Sequence, residues 1–161
     1  MKTTVNFSSF VDAFNAHGRG DNFSYDGLRV LFDYIEELEE GIGEEIEMDV
    51  VALCCDYSEY SVSEAIEYFE VSADDLGLAD ELADYREAVV EERMGAVNER
   101  LDEDMEAALR EQYEEEAQTL KFEDLFSEEV PMVKAALLEY FGERSQVIDI
   151  PHTERFILLA Y

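Results

Sequence analysis

The sequence predicts an α+β protein: a small three-stranded antiparallel sheet with helices on one face and an acidic helical insertion. Three observations lead there. Apolar residues recur at helical spacing in several segments and at strand spacing in others. Apolar residues make up 47% of the chain, with 10 Phe and 9 Tyr, which is enough for one core. The stretch from about Ser72 to Phe126 is the most acidic and carries only narrow apolar stripes. One domain is therefore expected over 1–161, with 72–126 an acidic helical insertion or arm.

The elements follow in order. Phe7, Phe10, Val11 and Phe14 fall at i, i+3, i+4 and i+7, one face of a helix, and His17-Gly18-Arg19-Gly20-Asp21 ends it with turn residues. Ser24 is placed to cap a second helix. Leu28, Leu31, Phe32, Ile35 and Leu38 give it an apolar stripe, acids cover its other face, and Gly41-Ile42-Gly43 stops it. Ile46 to Val50 alternates and Val50 to Cys55 continues apolar, which predicts a strand buried on both faces, then a turn over Tyr57 to Tyr60. Ser61-Val62-Ser63-Glu64 is a capping box ahead of Ala65, Ile66 and Phe69.

Ser72-Ala73-Asp74-Asp75 offers another such box. Leu82, Tyr85 and Val89 form one stripe; Met94, Val97, Leu101, Met105, Ala108 and Leu109 form another, with Gly95 marking a break. Two helices, or one long broken helix, are expected here. Pro131 suits the first turn of a further helix, and Gly142 its end. Val147 to Ile150 and Phe156 to Tyr161 read as strands joined by the turn Pro151-His152-Thr153-Glu154.

Charge is the leading clue to function. The chain has 42 acidic residues against 11 basic ones, a formal net charge of −31. Self-repulsion on that scale works against compactness, so the acidity points to a basic partner. Salt adaptation is a rival reading, because Lys occurs only at Lys2, Lys121 and Lys134. Against it, Glu outnumbers Asp about two to one and aromatics are plentiful. The same acidity disfavours contact with free nucleic acid and anionic lipid. No run approaches the roughly 20 apolar residues of a membrane span, and Met1 to Phe10 lacks the features of a signal peptide. Adjacent Cys54 and Cys55 do not form a disulfide framework, so a reducing cytoplasm is expected, with the cysteines in core packing.

Two stretches carry a resemblance. One runs from Phe23-Ser24-Tyr25-Asp26-Gly27-Leu28 through Leu31 to Glu37 and on from Glu44 to Tyr60. The other is Val147-Ile148-Asp149-Ile150 with Phe156-Ile157-Leu158-Leu159. Together, over under half of the chain, the pattern resembles a group of small acidic proteins of phages and mobile elements. The middle acidic segment departs from that pattern. The resemblance implies a phage or mobile-element origin and an α+β fold, and it carries no catalytic residue across. In size and acidity the chain is similar in type to DNA-mimicking inhibitors of restriction enzymes and CRISPR effectors.

A nucleic-acid mimic needs negative charges at about phosphate spacing. Helix neighbours at i, i+3 and i+4 lie about 5–6 Å apart at Cβ, which meets that need. Asp80, Asp84, Glu87 and Glu91 form one row; Glu92, Glu99, Asp102, Glu103 and Glu106 form a second, extended by Glu111, Glu114 and Glu115. A partner's Lys and Arg would pair with them as with phosphate.

Other chemistry is poorly served. Asp102, Asp104 and Glu106 have the first spacings of a calcium loop, but Ala107 and Tyr113 stand where Gly and Glu are required. His17 and His152 are isolated, and no nucleophile elbow, phosphate loop or dinucleotide signature occurs. No enzyme activity, metal or cofactor is expected. Tyr57, Tyr60, Tyr68, Tyr85 and Tyr113 either finish the apolar stripes or anchor a protein interface. The narrow stripes of the middle segment would be covered in a homodimer, which is expected. The expected function is inhibition of a host nucleic-acid-binding defence protein by blocking its basic groove. An acidic regulatory module with some other partner is the alternative.

Overall fold

The computed structural model describes residues 5–97, 101–120 and 122–160. Its elements are α1 (Phe7–Ala16), α2 (Tyr25–Ile42), α3 (Val50–Asp56), β1 (Tyr57–Ser61), α4 (Val62–Phe69), α5 (Ala79–Gly95), α6 (Glu103–Gln118), α7 (Phe122–Gly142), β2 (Val147–Asp149) and β3 (Arg155–Leu159). They form two compact units. The first gathers the residues up to Ala65 with those from Leu137 on; the second spans Ile66–Ala136.

In the first unit, local chemistry sets the helix ends. Asn6 caps α1 through a reciprocal box with Ser9. Ser24 caps α2 by accepting the Gly27 N–H at 2.9 Å, as the sequence predicts. Gly43, at φ 71°, closes α2 in the left-handed conformation that glycine tolerates. The core is aromatic. Phe10 meets Phe14 at 5.0 Å and Phe32 at 5.3 Å, and Phe14 meets Phe23 edge-on at 5.8 Å. Leu28, Leu31, Val50, Ile150 and Ile157 complete it. Burial of these large side chains is the main stabilising contribution, each worth about 1.5–3 kcal/mol.

The sheet is three-stranded and antiparallel, in the order β1-β3-β2. Val147 opposes Leu158 in one ladder and Tyr57 opposes Leu159 in the other. The turn between β2 and β3 places His152 at φ 62°, and the Thr153 hydroxyl donates to the Ile150 carbonyl at 2.9 Å. The α+β class and the antiparallel sheet are as the sequence predicts. The helices, however, cover both faces of the sheet rather than one. Ile157 faces the α1–α2 core, while neighbouring Phe156 points the opposite way onto Phe141 of α7, 6.0 Å between rings. The unbroken apolar run of β3 is the sequence counterpart of that double burial.

The strand expected over 46–55 does not form. Asp49 accepts the N–H groups of Val51 and Ala52 at 2.9 and 3.0 Å, and this cap starts α3 at Val50. The strand lies one element later, at Tyr57–Ser61, where a turn was expected. Cys54 is half-buried and Cys55 is exposed on α3, so only the first fits the expectation of core packing. Burial pushes the Cys54 thiol up, against the opposing pull of Arg19.

β1 also buries a carboxylate. Glu59 opposes Ile157 in the ladder, on the core side, and its side chain is only 1% exposed. It accepts the Ser24 N–H at 2.7 Å and the Arg155 Nε at 2.5 Å, which ties β1 to the start of α2 and to β3. Gly27 makes room for it, since a Cβ there would collide with the Glu59 carboxylate. Alanine normally stabilises a helix interior relative to glycine by about 1 kcal/mol. Gly27→Ala is expected to do the reverse and destabilise by about 1–3 kcal/mol, the range of overpacked sites, as measured by chemical denaturation.

Tyr57 faces Tyr34 across 6.1 Å, and its phenol is pushed up to about 12, first by burial and then by Tyr34. In the unfolded chain that phenol ionises near 10. The folded state therefore holds the proton more tightly between those values. Stability from this group is complete below pH 10 and is lost as pH rises toward 12. Tyr57→Phe is expected to flatten that alkaline decline; an unchanged decline would assign it to other groups.

In the second unit α5 and α6 pack antiparallel. Arg86 donates to the Leu120 carbonyl at 2.6 Å, Arg93 pairs with Glu116 at 2.6 Å, and Arg110 pairs with Glu91 at 2.7 Å. Gly95 is the last residue of α5, so the expected break falls there. The stripe from Met94 to Leu109 is correspondingly interrupted, and Met105 is 53% exposed. Pro131 does not start a helix; it lies inside α7, which gives up one backbone hydrogen bond there. Among the described residues, no helix is long and apolar enough to cross a membrane.

Candidate functional site

The acidic surface is built on α5 and α6. Asp80, Asp84, Glu87 and Glu91 recur at i, i+4, i+7 and i+11 along α5, and all are exposed, as is Glu92. On α6, Glu103, Glu106, Glu111, Glu114 and Glu115 are exposed as well. Asp102 immediately precedes α6. Glu99 lies outside the described residues. The two paired helices thus carry ten of the carboxylates expected from the sequence, and Asp102 at the start of α6 is an eleventh.

Several of these acids have work inside the unit. Asp102 caps α6 by accepting the Met105 N–H at 2.9 Å. Glu91 is held by Arg110, whose hydrogen bond keeps the carboxyl below its usual range and raises the guanidinium in turn. Asp80, Glu103 and Glu106 sit in first turns, where the helix dipole favours carboxylates. Asp84, Glu87, Glu111 and Glu115 lie further along their helices, beyond the reach of that end effect, which fades within the first turn. The helix dipole does not account for these four.

What the surface offers is a dense set of acceptors on a helical scaffold. Two Arg–Glu pairs between the helices fix their relative placement. Each such pair is solvent-exposed and contributes about 0–1 kcal/mol, so they act more on geometry than on stability. Asp104 and Glu106 are helical and Asp102 is a cap, so this segment does not adopt a calcium loop. No group of three or more metal-ligating side chains occurs among the described residues.

The five nominated tyrosines divide. Tyr57, Tyr60, Tyr85 and Tyr113 are half-buried, and Arg93 lies over the Tyr113 ring at 5.8 Å. Tyr68 is 70% exposed. The sequence reading missed the Glu59–Arg155 pair; the available signal was a single acid between Tyr57-Ser58 and Tyr60-Ser61. Comparison with known proteins finds no matching family model, no matching curated protein and no matching solved structure.

Proposed function

We propose that the chain is an inhibitor of phage or mobile-element origin that binds the basic groove of a host nucleic-acid-binding defence protein, a CRISPR effector or a restriction enzyme. The face formed by α5 and α6 stands in for the phosphate backbone. The observation that carries this reading is the run of exposed carboxylates at helical spacing on two helices clasped by Arg93–Glu116 and Arg110–Glu91. Paired with a groove of Lys and Arg, such a surface gains charge-assisted hydrogen bonds and displaces counterions, as a phosphate backbone does. The action is steric and electrostatic, and no covalent step is required. It takes place in the host cytoplasm.

The test is capture from host lysate on the immobilised, tagged protein, with stepwise elution by salt and by competing duplex DNA. Recovery of one nuclease or defence complex, released by DNA, is the expected result. Recovery of only scattered basic proteins at low salt would sink the proposal and favour non-specific charge.

A further inference from the structure

The first unit has a second feature, separate from the α5–α6 face. An apolar cleft of about 210 Å³ opens beside α1, α2 and the segment that follows α2, floored by Phe10, Phe32, Ile35, Ile46, Met48 and Leu53. Four glutamates also line it, Glu36, Glu45 and Glu47 exposed and Glu39 half-buried. Local structure makes it. Gly43 turns the chain back, Glu39 accepts the Ile46 N–H at 2.7 Å, and Asp49 then starts α3. Between those anchors Ile46 and Met48 line the cleft with Glu45 and Glu47 beside them. Ile46 and Val5 each remain 36% exposed at its mouth.

The charged residues that line the cleft are all glutamates. The sequence has no Lys or Arg between Arg29 and Arg86, and residues 36–49 alone hold Glu36, Glu37, Glu39, Glu40, Glu44, Glu45, Glu47 and Asp49. The cleft is smaller than the ~300 Å³ at which drug-sized pockets begin, and suits one or two aliphatic side chains. A fatty acid would bring its carboxylate to these carboxylates. A second copy of this chain would bring net negative charge. We infer that the cleft docks a segment of a protein partner that presents a leucine-like anchor flanked by Lys or Arg. The apolar floor takes the anchor, and the lining glutamates take the flanking cations.

The test uses a short dye-labelled peptide of paired leucines flanked by paired lysines, titrated into the full chain at moderate salt. Two controls replace the leucines by serine or the lysines by glutamate. The leucine–lysine peptide is expected to bind at least about tenfold more tightly than either control. Ile46→Ser, and separately the pair Glu36→Lys and Glu47→Lys, should each weaken it by about tenfold or more. These positions are exposed, and circular dichroism verifies that the variants fold. Amide chemical shifts should move around Phe10, Phe32, Ile35 and Met48. Equal binding of the serine control, shifts confined to α5 and α6, or insensitivity to Ile46→Ser would each overturn the inference. Failure here leaves the α5–α6 proposal standing, because capture by that face is read from competing DNA instead.

Discussion

Reversing Asp84, Glu87, Glu111 and Glu115 to lysine is expected to weaken capture of the basic partner by about 100-fold or more, with the helices intact. All four are exposed on α5 or α6 and lie past the first turn, so no helix loses a cap. They also lie outside the Arg93–Glu116 and Arg110–Glu91 pairs that hold the two helices together. In the proposed complex the substitutions would set lysines opposite the partner's own cations, and such like-charge contacts cost several kcal/mol. Asn and Gln at the same positions should weaken binding less, since they remove attraction without adding repulsion. Log affinity should also fall less steeply with log salt, because fewer counterion-linked contacts remain. A quadruple variant that folds and binds like the parent would move the binding surface elsewhere.

The largest stability effect is expected at Glu59. Glu59→Ala should destabilise the first unit by about 2–4 kcal/mol in denaturant titrations. The carboxylate is buried, and its loss leaves the Ser24 N–H and the Arg155 guanidinium without that acceptor. Arg155 is 40% exposed and can turn to water, which keeps the loss below that of a fully buried pair. In Gly27→Ala, removing Glu59 also removes the collision, so the double variant should be more stable than the sum of the two single losses predicts. Strict additivity would mean that Gly27 and Glu59 do not share a constraint.

The elements legible in the sequence were those with local signatures. Ser24 and Gly43 bracket α2 as their chemistry predicts, and the box of Ser61 with Glu64 precedes α4, with the Ser61 N–H donating to Glu64 at 2.8 Å. The β2–β3 turn was legible for the same reason. Residues 46–55 misled because two signals conflict there. The alternation of Ile46 and Met48 is real, but it lines a cleft rather than a ladder, and the Asp49 cap overrides the β-branched run after it. β1 was missed because Tyr57 to Ser61 is made a strand by its distant pairing with β3, not by composition. Within the acidic rows, sequence spacing located the carboxylates. It could not separate Asp102 and Glu91, which cap a helix and pair with Arg110, from exposed acids such as Asp84 and Glu87.

The central position of β3 has a bearing on how the chain is made. Glu59 and Arg155 are 96 residues apart, and the β1–β3 ladder spans that whole interval. During translation, β1 emerges long before the strand that completes it, while Ile66–Ala136 is continuous and can organise first. Until β3 is made, β1 has no partner strand and the α1–α2 core lacks Ile150 and Ile157, while the net negative charge of the chain opposes association of such incomplete molecules.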